Sequence, residues 1–303
     1  MSTVDYSNLI LEIQRNLPTL PTIVNELTNI LKNPDSSTFA VEEVMTADQC
    51  MTMKILRVAN TSFYRAGRDE RVTDANEAIG SLGFEKIRNV ILTTSVFKMF
   101  KAESAENRFS LEELWKHSLG VAAASRNIAN WLGKPWHETA YTCGLVHDIG
   151  KVARYKLDEV GKSKLFLSDS QFALDKKIGF FQAELVNQSP RHDYLGYLIC
   201  KNWGLSKYVE GVVRWHHEPD PKRRQKVISE EAGEIIDLVI LANWAINHLK
   251  FGFSGHDTPE HPSDAILHRL NLSNDYLDKI LESISDELKL TSEFCSMLSS
   301  ETS

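Results

Sequence analysis

Apolar residues recur along this chain at intervals of three and four, and over no useful length do they alternate with polar ones. Ile23, Leu27, Ile30 and Leu31 follow an i, i+4, i+7, i+8 pattern behind Pro21, a favourable first-turn residue, and predict a helix. Ile55, Leu56, Val58 and Ala59 predict a second, ending near Asn60-Thr61-Ser62. Ala78, Ile79 and Leu82, then Ile87, Val90 and Ile91, flank Gly83 and predict two helices joined by a tight turn. Ser110 and Glu113 have the spacing of a capping box ahead of the face Leu114, His117, Val121 and Ser125. Further helices are expected over 137–157, 175–187, 192–203, 206–217, 230–250 and 274–290. The fold class predicted is all-α.

Two polar stretches, 101–108 and 251–263, suggest three segments. These are an N-terminal helical block over 1–108, a histidine-bearing core over 109–250, and a C-terminal loop and helix over 251–303. The final helix carries a stripe of Tyr276, Leu277, Ile280, Leu281, Ile284 and Leu288, expected to pack internally. His256 and His261 fall in the second polar stretch and read as loop residues without a metal.

With 303 residues the chain can bury a full core. A net charge of −7 argues against general nucleic-acid binding, which needs a basic surface. The same balance counts against DNA binding by the helix pair around Gly83. The short run Lys222, Arg223, Arg224 and Lys226 follows two prolines and reads as a solvated loop. Cys50, Cys143, Cys200 and Cys295 form no CxxC pair and sit in apolar surroundings, which predicts buried free thiols in a reducing compartment. The N-terminus has no signal-peptide pattern and no run approaches the roughly 18 apolar residues of a membrane helix, so the expectation is a cytoplasmic protein with no membrane partner.

The chemistry concentrates on histidine. His147 and Asp148 adjoin, giving a neutral ring nitrogen and an anionic oxygen that can bridge two metals. Glu113 and His117, four apart, project from one helical face, and His192, His216 and His217 add three more rings. Together they could furnish a polynuclear metal site that activates water against a phosphate ester. Gly144 and Gly150 leave room for close backbone approach around the pair, and Lys151 could hold an anionic substrate oxygen. A mixed oxygen–nitrogen donor set suits iron or manganese best, with nickel or zinc compatible.

Leu114-Trp-Lys-His117-Ser with Leu145-Val-His147-Asp148-Ile-Gly-Lys151 resembles the HD superfamily of metal-dependent phosphohydrolases. Leu17-Pro-Thr-Leu-Pro21, Asn33-Pro-Asp35, Lys54-Ile-Leu-Arg-Val-Ala-Asn60-Thr-Ser and Ala78-Ile-Gly-Ser-Leu-Gly83 resemble, in order, the segments of the HDOD domain, the HD-related output domain of bacterial signalling proteins. The likeness runs from about Leu17 to Pro219 and implies a multi-helix HD-type core behind an N-terminal helical HDOD block. Many HDOD domains resemble an HD domain with decayed ligands. Here Glu113, His117, His147, Asp148, Lys151, His192, His216 and His217 fall where the HD-GYP phosphodiesterases of cyclic dinucleotides place ligands and a substrate lysine. The resemblance fails at Ala242-Asn243, where the superfamily has Ala-Asp, and Glu218-Pro-Asp-Pro-Lys stands where Gly-Tyr-Pro would follow.

The resemblance therefore implies a signalling output protein holding a dinuclear divalent-metal site, with Asn243 a weakened ligand. Its partner would be a signalling protein or a nucleotide. The alternative is an active phosphohydrolase of a nucleotide or cyclic dinucleotide, with Asp148 and Lys151 carrying the chemistry.

Overall fold

The computed structural model describes residues 49–65, 71–97, 109–159, 165–225, 227 and 229–300, together with residues 9, 11, 12 and 45. The helix predicted behind Pro21 lies outside them. Among the described residues regular structure is helical, with no strand. The helices are α1 (Gln49–Ala59), α2 (Ser62–Arg65), α3 (Ala75–Leu82), α4 (Phe84–Phe97), α5 (Leu111–Trp131), α6 (His137–Val146), α7 (Ile149–Glu159), α8 (Leu165–Lys176), α9 (Phe180–Val186), α10 (His192–Asn202), α11 (Lys207–Trp215), α12 (Glu230–His248), α13 (Asp264–Arg269) and α14 (Leu277–Ser300). Not one described helix is long and apolar enough to cross a membrane.

The chain groups into two units, Met1–Pro18 with Phe100–Leu288 and Thr19–Met99 with Lys289–Ser303. Residues 251–288 fall in the same unit as the histidine-bearing helices, and the end of α14 falls in the other. In that other unit α3 begins at a reciprocal cap. Asp74 accepts the Glu77 N–H at 2.8 Å, and Glu77 accepts the Thr73 N–H at 2.8 Å. Gly83, at φ +79°, makes the predicted turn into α4. Ile55, Val58, Ile79, Ile87, Val90 and Ile91 form its core, where Phe63 stacks on Phe294.

The larger unit is built on α5, which Ser110 caps by accepting the Glu113 N–H, as the spacing predicts. Its alanine-rich face lets α6 come close. A Cβ on Gly144 would lie 2.8 Å from the Val121 carbonyl oxygen, so only glycine permits this contact. The long helix expected over 137–157 is interrupted. α6 stops at Val146, α7 starts at Ile149, and His147-Asp148 occupy the turn between them. Lys151 N–H bonds to Asp148 O, a tight turn that apolar spacing cannot reveal because both helices bury the same kind of residue. Of the expected helix over 175–187 only α9 and the last two residues of α8 are helical, since Lys177 sits at φ +53° between them; most of α8 falls where no helix is expected. The short α13 falls where the apolar pattern predicts no helix.

The basic run is not simply solvated. Arg224 is buried, donating to Asp237 at 2.5 Å, and Arg269 donates to the same carboxylate at 2.6 Å. Cys143, Cys200 and Cys295 are buried thiols in no disulfide, whereas the Cys50 side chain lies outside the described positions. On α14 the stripe Leu277, Ile280, Ile284 and Leu288 is buried, and Glu287 accepts from Arg126 of α5 at 2.7 Å.

Gly150 opens α7 against the start of α10. A Cβ there would lie 1.9 Å from the His192 carbonyl oxygen and 2.8 Å from Gly196 N. Gly150→Ala is expected to force these backbones apart and destabilise by about 3 kcal/mol, read as a lower Tm by circular dichroism. An unchanged Tm would contradict this packing.

Candidate metal centre

Five histidines and one aspartate meet where four helix ends and one helix face converge. His117 comes from the buried face of α5, His147 and Asp148 from the α6–α7 turn, His192 from the start of α10, and His216 and His217 from the end of α11. Asp148 is their common neighbour. Its Oδ2 lies 3.2 Å from His147 Nε2 and 3.8 Å from His117 Nε2. Its Oδ1 lies 3.3 Å from His192 Nε2 and 3.5 Å from His216 Nε2. His217 Nε2 is 3.0 Å from His192 Nε2. Two groups of potential ligands result, His117 with His147 and Asp148, and His192 with His216, His217 and Asp148.

Hydrogen bonds behind the rings decide what they present to the centre. His147 Nδ1 faces Gly144 O at 2.7 Å, and His216 Nδ1 faces Val213 O at 3.0 Å. A carbonyl oxygen only accepts, so each Nδ1 donates, and in the neutral ring Nε2 then carries a lone pair. Both lone pairs lie against the Asp148 carboxylate, and that of His216 also faces His192 Nε2 at 3.4 Å. Buried acceptors facing acceptors are costly unless a proton or cation stands between them. His147 Nε2, Asp148 Oδ1 and both ring nitrogens of His117 are buried without a hydrogen-bond partner. With two rings fixed in this way and an ionised carboxylate between the groups, the donor set fits divalent cations.

Electrostatics agree with that geometry. Burial, with His147 and other neighbours, holds the His117 pKa well below its usual value. Burial also lowers His216 to about 4, and with His216 and His192 beside it keeps His217 low. These rings are neutral, the form in which a histidine can hold a cation. Burial alone would raise Asp148, but His147 and Lys151 overcome it and hold the carboxylate ionised. Burial opposes the proton of His192, yet Glu184 and Asp148 raise its pKa.

Lys151 is buried in the first turn of α7. Its Nζ donates to Asp148 Oδ2 at 2.8 Å and to Ser254 O at 3.0 Å. Glu113 belongs to neither ligand group; it is half-buried, and its carbonyl accepts the Phe253 N–H. Asn243 lines a cavity of about 150 Å³ with His216, His217, Asn247, His256 and His261. Its Oδ1 already accepts from Asn247 Nδ2 at 2.9 Å.

The 251–263 stretch is a loop, as its composition suggests, but it is part of the site's wall. Ser254 receives Lys151, and His256 is buried at the cavity, its pKa lowered to about 3 by burial and by Lys151. Sequence reasoning also missed Glu184, which faces His192. A signal existed, since Phe180, Ala183 and Glu184 share one helical face and place a carboxylate on an apolar stripe.

Comparison with known proteins gives this architecture its family. The HDOD domain matches residues 17–219, and the chain belongs to the HDOD family. A protein of Treponema pallidum (strain Nichols), described only as uncharacterized, is 20% identical over 235 residues; these cover 77% of this chain and 43% of that one, so the likeness spans less than half of the relative. Among solved structures, an HDOD domain protein of unknown function from Geobacter sulfurreducens matches with TM-score 0.65 at 24% identity, covering 97% of this chain and 94% of its own. A protein of Marinobacter aquaeolei VT8, provisionally named for signal transduction, matches with TM-score 0.72 at 17% identity, covering 97% and 66%. One from Shewanella amazonensis SB2B, provisionally named a phosphohydrolase, matches with TM-score 0.65 at 19% identity, covering 94% and 97%. At these identities the likeness establishes the fold.

The shifted histidines give the metal-free protein a pH dependence. His216 and His256 lose their protons at about 4 and about 3 when folded, against an ordinary value of 6.5, so the unfolded chain binds more protons between those limits. Their stabilising contribution is complete above 6.5 and disappears as the pH falls towards 4. His192, shifted upward, acts oppositely, but His117 and His217 add to the first group. The Tm of chelator-treated protein should therefore fall as the pH drops from 6.5 towards 4. A Tm that rises over that interval would contradict the neutral-histidine assignment.

Proposed function

We propose that this chain is an HDOD signalling output module whose HD-type centre binds two divalent cations. The observation that carries the reading is the position of Asp148, whose two carboxylate oxygens face different histidine groups while lone-pair nitrogens converge on it. His117 and His147 would hold one cation and His192, His216 and His217 the other, with Asp148 serving both. Iron or manganese suits this donor set best. Holding ligands from α5, the α6–α7 turn, α10 and α11, the cations would stabilise one arrangement of those helices, which a signalling partner or bound nucleotide could sense.

The module reading is favoured over turnover by Asn243. A neutral amide oxygen already engaged by Asn247 is a weaker ligand than the aspartate of the resembled superfamily, and removes one negative charge. A second reading, a metal-dependent phosphohydrolase, draws support from the cavity beside His216 and His217 and from Lys151. Cations bound there would polarise a phosphoryl oxygen and acidify water. Lys151 would offset negative charge near Asp148, and His256 would line the substrate's side of the cavity.

Elemental analysis of protein purified without added metal should find about two equivalents of iron or manganese per chain. His147→Ala should lose metal and Tm together. Absence of metal, with none taken up on incubation, would sink the reading.

Asn243→Asp should tighten metal binding, measured by competition with a chromogenic chelator, without creating activity. If wild type instead hydrolyses a cyclic dinucleotide or mononucleotide, and Lys151→Ala abolishes turnover while metal content persists, the enzyme reading replaces the module reading.

A further inference from the structure

Behind His192 lies a buried polar network that the ligand set does not use. Glu184 of α9 accepts twice from His192, from the backbone N–H at 3.0 Å through Oε1 and from ring Nδ1 at 2.8 Å through Oε2. Arg154 of α7 donates to the same Oε1, and with its other terminal nitrogen to Asp169 of α8 at 2.6 Å. Asp169 is fixed in turn by Asn187 Nδ2 at 2.6 Å and Ser189 Oγ at 3.0 Å. All three charged residues are almost completely enclosed, Glu184 at 0%, Asp169 at 1% and Arg154 at 3% exposure. An enclosed carboxylate holding this many donors has one available geometry.

We propose that Glu184 is a positioning residue for the metal centre, holding the Nδ1 proton of His192 so that Nε2 faces Asp148 as a ligand. This rests on the reading of the centre as a cation site. His147 and His216 have backbone carbonyls in the corresponding place, so His192 is the one of these three rings held by a carboxylate. An ionised acceptor strengthens the hydrogen bond and makes the opposite nitrogen a better donor to a cation. Arg154 keeps that carboxylate in place and compensates its charge. Glu184 would touch neither cation nor substrate and acts only through His192.

Two measurements test the assignment. In ¹⁵N-histidine NMR of metal-free protein, above the pH range where histidines titrate, wild type should show His192 as the Nδ1–H tautomer. Glu184→Gln, whose amide oxygen can still accept, should keep that tautomer, and Glu184→Ala should lose it. In Mn²⁺ titration, wild type should fill two sites. Glu184→Ala should weaken one of them by roughly 10–100-fold and Glu184→Gln by less. Asp169→Asn touches the same network but not His192; it should lower Tm while leaving Mn²⁺ affinity as in wild type. Glu184→Ala with the wild-type tautomer, or with wild-type Mn²⁺ affinity, would overturn the proposal. So would Asp169→Asn weakening Mn²⁺ as much as Glu184→Ala, which would make the effect one of general stability. Wild type taking up no Mn²⁺ at all would instead overturn the cation reading on which the proposal stands.

Discussion

A carboxylate buried to 1% exposure at the meeting point of several helices is the constraint around which the larger unit is arranged. An isolated charge there would be prohibitive, so Asp148 must be surrounded by groups that favour its ionised form. Lys151 supplies one, three residues further along the chain, and is itself held by Ser254 O from the 251–263 loop. The histidine nitrogens supply the rest only with a proton or cation between them and the carboxylate. Geometry and solvation thus ask for the same thing, positive charge at Asp148.

Close backbone contacts make that convergence possible. Gly144 lets α6 rest on α5, and Gly150 lets α7 meet the first residue of α10, so the α6–α7 turn sits within reach of His117 on one side and His192 on the other. Side chains larger than hydrogen would move the turn away from one group or the other. Buried ion networks then fix the surrounding helices. Arg154, Asp169 and Glu184 join α7, α8 and α9, while Arg224, Asp237 and Arg269 join the segment after α11 to α12 and α13. Removing one partner from such a network leaves an uncompensated buried charge, typically costing about 3–5 kcal/mol.

Much of the candidate centre is legible in the order of residues alone. His117, His147, Asp148, His192, His216 and His217 are marked by residue type and by helix-face position, and all six come together. Glu113 shares the helical face of His117 yet lies outside both groups, because a position one turn earlier on α5 meets the loop at Phe253. Lys151 reads equally well as a surface residue, since nothing local shows that Ser254, over a hundred positions away, receives it.

The sequence by itself determined the all-helical class, the cap at Ser110, the turn at Gly83 and the six residues of the histidine–aspartate cluster. These depend on periodicity, turn stereochemistry and donor chemistry, all of which are local. Tertiary structure decided where helices break, at His147-Asp148 and at Lys177, because apolar spacing runs on through both. It also decided that Arg224 is buried, that His256 and Ser254 wall the site, and that Glu184 stands behind His192. Each of those outcomes depends on a partner distant in sequence, whose position follows from packing rather than from the pattern along the chain.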